Sequence, residues 1–61
     1  MYTYTIRIVA VDGTVATEYV VNEGQETIEE TQLRANRVLQ EIKADESTRE
    51  AIMTRRLMPG I

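Results

Sequence analysis

Apolar and polar residues alternate along the first twenty positions of the chain. Residues two apart share a face of a β-strand, and one such face holds Tyr2, Tyr4, Ile6, Ile8 and Ala10. Asp12-Gly13 tolerates the positive φ angles of a two-residue type I′ turn, and a second alternating stretch follows it. The pattern predicts a β-hairpin with strands at about residues 2–11 and 14–21.

A two-residue turn also sets the strand register, with Arg7 opposite Glu18 and Ile6 opposite Tyr19. In this register the predicted core face holds Tyr4, Ile6, Ile8, Val15, Tyr19 and Val21. The outer face is more apolar than a fully solvated face requires, because it holds Val9, Val11, Ala16 and Val20. We predict that these outer-face residues mediate self-association.

The apolar spacing becomes helical after residue 26. Thr27 and Glu30 have the spacing of a capping box, in which each side chain bonds the other residue's backbone amide. A stripe at helical spacing follows, formed by Ile28, Ala35, Val38, Leu39 and Ile42. These features predict a first helix at about residues 27–44.

A second capping box, from Ser47 to Glu50, predicts another helix at about residues 47–58, which Pro59 would stop. No Gly or Pro separates the two segments, so one bent helix is the alternative. The expected fold is α+β in the order ββαα, with an antiparallel hairpin covered by helix, and a single small domain spanning residues 1–61.

The length of the chain limits its stability as a monomer. A chain of 61 residues buries only about 60% of its unfolded surface, and without cysteine it has no disulfide to compensate. We therefore predict a homodimer. It would form by extending the sheet through a strand edge, by stacking outer sheet faces, or by pairing helices.

No apolar run approaches the roughly 18 residues of a membrane span, and no signal peptide precedes the first strand. We expect a soluble protein in the cytoplasm. The chain has no His and no Cys, and its one serine, Ser47, is assigned to a cap. We therefore expect no catalytic residues, no metal site and no cofactor, and hence not an enzyme.

Two groups of residues are candidates for contact with a partner. Glu26, Glu29 and Glu30 lie at the predicted start of the first helix, where they either match the helix dipole or form an acidic patch. The second group combines flexible apolar and basic side chains near the C-terminus, namely Met53, Arg55, Arg56, Leu57 and Met58. The alternative for this group is an amphipathic last helix.

The three tyrosines also have two interpretations. They either line the rim of the core or form a stacking platform for nucleic-acid bases. The predicted register favours the rim, because it places Arg7 on the face opposite Tyr4 and Tyr19.

In size, acidity and lack of catalytic residues, the chain resembles phage-encoded inhibitors of host or defence enzymes, such as anti-CRISPR proteins. That resemblance implies a protein-binding module, an inhibitor or adaptor that occupies another protein's surface. The alternative is a small dimeric nucleic-acid-binding regulator, because the order of strands and helices resembles ribbon–helix–helix repressors and the start of HicB-type antitoxins. The net charge of −3 makes nucleic acid the less favoured partner.

Overall fold

The computed structural model describes residues 2–57, which form three strands and one helix. The elements are β1 (Tyr2–Ala10), β2 (Val15–Val21), α1 (Ile28–Ala44) and β3 (Thr48–Leu57). They make one antiparallel sheet in the order β2-β1-β3. The fold is α+β, but the expected ββαα order with a second helix is wrong. The predicted stop at Pro59 lies outside the described residues.

The turn between β1 and β2 is one residue longer than predicted. Ala10 N donates to Thr14 O at 2.8 Å, and Gly13 N donates to Ala10 O at 2.9 Å. Gly13 alone has a positive φ in this loop, at 90°, whereas a type I′ turn would require one at Asp12 as well. The geometry is that of a three-residue loop, a tight turn followed by a left-handed glycine.

The extra turn residue shifts the register of β2 by one position. Ile6 lies opposite Glu18 and Arg7 opposite Thr17, so the predicted Arg7–Glu18 and Ile6–Tyr19 pairs do not form. Because side chains alternate, a one-residue shift moves every side chain of β2 to the other face. Val20, predicted on the outer face, is therefore buried at 3% exposure, and Tyr19, predicted in the core, is 62% exposed.

The segment predicted as a second helix is β3, which pairs with β1 along most of its length. Asp45 Oδ1 accepts from the backbone N and the Oγ of Ser47 at 2.8 and 2.7 Å. Ser47 therefore belongs to a tight turn that directs the chain into the sheet. A capping motif is only a local signal. Without β3, one edge of β1 would leave backbone groups without partners beneath the helix. Pairing with that edge makes this segment a strand.

The helix α1 is confirmed, with Thr27 at its N-cap and the capping box to Glu30 in place. Ala35 is fully buried, and Val38, Leu39 and Ile42 pack against a core centred on Tyr4, Ile6 and Val20. The third strand contributes Ala51 and Met53 to the same side. The core therefore lies between α1 and one face of the sheet.

Replacing Ile6 by alanine tests the position of the core. Ile6 is fully buried, so Ile6→Ala should lower the free energy of unfolding by about 2–5 kcal/mol in urea titrations. The matched control is Leu33→Ala, because Leu33 is 66% exposed on α1 and its loss should change stability by only about 0.5 kcal/mol. Equal losses for the two variants would place the core elsewhere.

Candidate functional site

One face of the sheet is left uncovered by residues 2–57, and we call it the open face. Residues paired across strands point to the same side, so the register defines its members. They are Thr3, Thr5, Arg7 and Val9 on β1, Val15, Thr17, Tyr19 and Val21 on β2, and Glu50, Ile52, Thr54 and Arg56 on β3. Val15 and Ile52 are each 51% exposed. Apolar side chains exposed together on one face are typical of an interaction surface.

A cleft of about 320 Å³ lies at the end of the open face next to the hairpin turn. It is lined by Arg7, Val9, Gly13, Val15, Arg49, Glu50 and Ile52. A break in the β1–β3 register inserts Arg49 between the residues that pair with Val9 and Ala10. This bulge explains why two consecutive residues of β3, Arg49 and Glu50, both line the cleft.

The cleft brings apolar side chains together with two arginines and one glutamate. Within residues 2–57, neither Arg7 nor Arg49 takes part in an ion pair or a side-chain hydrogen bond. Both guanidinium groups therefore retain their donors for a ligand, and a guanidinium fits a carboxylate or phosphate through two parallel hydrogen bonds. The arrangement suits a ligand that presents an anionic group beside an apolar one.

A second cluster of polar side chains joins the end of β2 to α1. Arg34 donates from Nη2 and Nε to the two carboxylate oxygens of Glu26, at 2.9 and 3.0 Å. It also donates to the carbonyl oxygen of Val21. Thr31, which is fully buried, donates to Glu26 Oε1 at 2.7 Å and accepts from Asn22 Nδ2 at 2.6 Å. We call these four side chains, Asn22, Glu26, Thr31 and Arg34, the junction network.

The junction network favours the ionised form of Glu26. The hydrogen bonds from Arg34, and next those from Thr31, lower the pKa of Glu26 from 4.5 to about 2. The same contact raises the pKa of Arg34. Because every donor in the network lies within the chain, its role is to hold α1 in place against β2.

The predicted acidic patch is divided between two roles. Glu26 is only 20% exposed and belongs to the junction network, so it is not part of a free acidic surface. Glu30 is exposed but accepts from the Thr27 backbone amide in the capping box. Glu29 is exposed in the first turn of α1. A partner-binding role for these residues stays a prediction.

The predicted C-terminal group does not form one surface, because β3 alternates its side chains between two faces. Met53 faces α1 and packs against the core. Arg55 points to that same side, whereas Arg56 lies on the open face. Leu57 ends β3, and Met58 lies outside the described residues. Their contact with a partner stays a prediction.

The residues predicted for self-association are also separated. Val9 lies on the open face, and Val11 is exposed in the turn. Ala16 lies opposite Ile8 on the side of the sheet that faces α1, and Val20 is in the core. The expectation that these four residues share one outer face is therefore wrong, because the longer turn shifts the register of β2 by one position.

Tyr4 and Tyr19 lie in different environments, so no single interpretation applies to both. Tyr4 is almost fully buried, and its hydroxyl has no hydrogen-bond partner among residues 2–57, so it is not at a solvated rim. Tyr19 is exposed on the open face together with Arg7. The argument that set the tyrosines apart from Arg7 therefore does not hold for Tyr19.

Sequence reasoning did not single out Val15, Ile52 and Arg49 as site residues. The signal for β3 was weak: Ile52 and Thr54 alternate with Ala51 and Met53, but the capping motif before them indicated a helix. A three-residue loop, in which only Gly13 needs a positive φ, is the alternative turn for these residues. It would have placed Val15 and Tyr19 on the correct face of the sheet.

Within residues 2–57 no group of three or more acidic side chains is placed to hold a metal ion. No helix there has both the length and the apolar character to cross a membrane. Comparison with protein-family models, curated proteins and solved structures found no match. The fold and the site therefore define the chain only as a small α+β protein with one open sheet face.

The low pKa of Glu26 predicts a specific loss of stability in acid. The ionised carboxylate stabilises the fold fully above about pH 4.5, and this contribution is lost as the pH falls towards about 2. The free energy of unfolding should therefore fall more steeply between pH 5 and 2 for the native chain than for Glu26→Gln.

The control for this measurement is Glu41→Gln, which alters an exposed carboxylate of α1 outside the junction network. It should retain the native dependence on pH. If the free energy of unfolding depends on pH in the same way for the native chain and for Glu26→Gln, the junction network does not cause the loss of stability in acid.

Proposed function

We propose that the chain is a non-enzymatic protein-binding module that occupies a partner's surface with its open face, as an inhibitor or adaptor does. The observation that carries the proposal is the one-sided sheet, with α1 on one face and exposed Val15, Tyr19 and Ile52 on the other. A sheet that served only as a support for the helix would gain nothing from apolar side chains on its solvent side.

Burial of this face supplies the driving force for binding. Fully burying a Val or Ile side chain contributes about 1.5–3 kcal/mol, and tyrosine is frequent among the residues that dominate binding energy. The threonines between them, Thr5, Thr17 and Thr54, offer hydroxyls for hydrogen bonds. This mixture of apolar anchors and polar neighbours is typical of a protein–protein interface.

The cleft indicates the chemistry of the partner. Arg7 and Arg49 line it together with the apolar side chains of Val9, Val15 and Ile52 and with one carboxylate, that of Glu50. A partner segment with an aspartate or glutamate next to an aliphatic side chain satisfies both parts. The acidic side chains of α1 lie on the other side of the sheet and do not repel such a segment at close range.

Single-stranded nucleic acid is the second candidate, because Tyr19 and Arg7 share the open face. An exposed aromatic ring can stack on a base while a nearby guanidinium contacts phosphate. The overall charge of −3 opposes this candidate, since nucleic-acid binding draws on net positive charge. Protein binding therefore remains the first proposal.

Open-face variants test the proposal in a capture experiment from nuclease-treated lysate of the source cells. The native chain should retain one stoichiometric protein, and Tyr19→Ala and Val15→Glu should each reduce its recovery at least roughly tenfold. Leu33→Glu is the control, since Leu33 is exposed on α1, away from the open face. Unreduced capture by both open-face variants would contradict the proposal.

The same experiment without nuclease distinguishes the second candidate. The chain has three tyrosines and no tryptophan, so nucleic acid retained with it would dominate the ultraviolet absorbance. Nucleic acid that is lost with Tyr19→Ala, with no protein recovered, would favour the second candidate. Capture of neither would contradict both.

A further inference from the structure

The outer edge of β3 is the longest strand edge in the described structure. β3 has ten residues and pairs only with β1 within residues 2–57. Half of its backbone N–H and C=O groups therefore point away from the sheet. Such an edge is a template for pairing with another strand.

Two of the four charged residues of β3 lie at equal distances on either side of Met53. Glu50 and Arg56 both lie on the open face, three residues before and three residues after Met53. Two β3 strands that run antiparallel with Met53 opposite Met53 bring Glu50 of each copy opposite Arg56 of the other. Opposite charges at directly paired positions stabilise a strand pair.

We propose that two copies of the chain pair through their β3 edges, antiparallel and with Met53 on the two-fold axis. This interface is isologous, as expected of a closed dimer. The axis is perpendicular to the sheet, so both α1 helices lie on one side and the two open faces join on the other. The result is a continuous six-stranded sheet.

Neighbouring registers lack this complementarity. If the β3 strand of one copy is shifted by two residues along the other, Arg49 lies opposite Arg55 and Glu50 opposite Thr54. The opposite shift brings Arg56 opposite Ile52. Like charges at paired positions destabilise the pair, so only the register centred on Met53 forms two ion pairs.

The edge of β2 does not offer a comparable site. Its one charged residue, Glu18, is exposed on the side of the sheet that faces α1. Two β2 strands centred on Glu18 would oppose identical charges, and no other register supplies a positive partner. A charge placed on that side protects a strand edge from pairing. This leaves β3 as the edge suited to a second copy.

Charge reversal tests the register. The purified chain should sediment at twice its 7.0 kDa mass. Glu50→Arg and Arg56→Glu should each raise the dimer dissociation constant roughly tenfold or more, because each substitution creates two like-charge pairs. The double variant should restore the native dissociation constant. Far-UV circular dichroism of each variant checks that it is folded.

A mixture of the two single variants gives a sharper result. In a dimer of one Glu50→Arg chain and one Arg56→Glu chain, both positions pair opposite charges again, because one chain carries two arginines and the other carries two glutamates. The mixture should therefore dimerise more tightly than either variant alone. A structural defect in one variant would not be repaired by the other, so this rescue is specific to the proposed pairing.

A cysteine placed on the axis reports the register directly, since the native chain contains no cysteine. Directly opposite residues of an antiparallel pair have Cα atoms about 4.5–5.5 Å apart, which permits a disulfide. Met53→Cys should cross-link on oxidation. Thr54→Cys, the control, would hold its two Cα atoms roughly 8 Å apart, beyond disulfide range.

A monomeric native chain at all concentrations would overturn the proposal, as would a dimer indifferent to charge reversal or cross-linked equally through Thr54→Cys. The pairing does not rest on the proposed function. Tyr19 and Val15 lie on β2, away from the β3 edge, so loss of partner capture and loss of dimerisation are measured with different variants.

Discussion

The hydrogen bonding of β1 on both of its sides is the constraint on which the other elements depend. β1 pairs with β2 through a short turn and with β3 after a long connection through α1. Because β2 and β3 both run antiparallel to β1, they are parallel to each other, and the connection between them must cross the sheet. That crossing places α1 over one face, where it covers Ile6 and Val20, and it leaves the other face open.

The junction network determines how the crossing begins. β2 ends at Val21, and α1 starts after a short loop that contains Glu26. Arg34 contacts both the last carbonyl of β2 and the loop carboxylate, while Thr31 holds that carboxylate from inside the helix. Polar groups that close on one another in this way orient a helix more specifically than apolar packing alone. Glu26, as part of this network, therefore stabilises the fold.

The open face and the outer edge of β3 both follow from the small size of the sheet, which has three strands within residues 2–57. One helix covers about one face, and a three-stranded sheet always has two edges. The proposed uses of these surfaces are compatible, because edge pairing would enlarge the open face without covering it. Binding by Tyr19 and its neighbours would then take place on a surface twice as wide, with a copy of the cleft in each half.

Local patterns in the sequence determined the alternation of β1, the capped start of α1 and the helical stripe that contains Ala35 and Val38. Each depends on residues within a few positions of one another, so periodicity and capping chemistry suffice. The tertiary structure alone decided two features. A single additional turn residue before Gly13 reversed the faces of β2, and the unpaired edge of β1 drew Thr48–Leu57 into a strand against its capping signal. The turn residues allow either of two loop lengths, and the bond from Ala10 N to Thr14 O closes the longer one. The strand at Thr48–Leu57 depends on hydrogen bonds to β1, which is distant in sequence, and local pattern does not contain these.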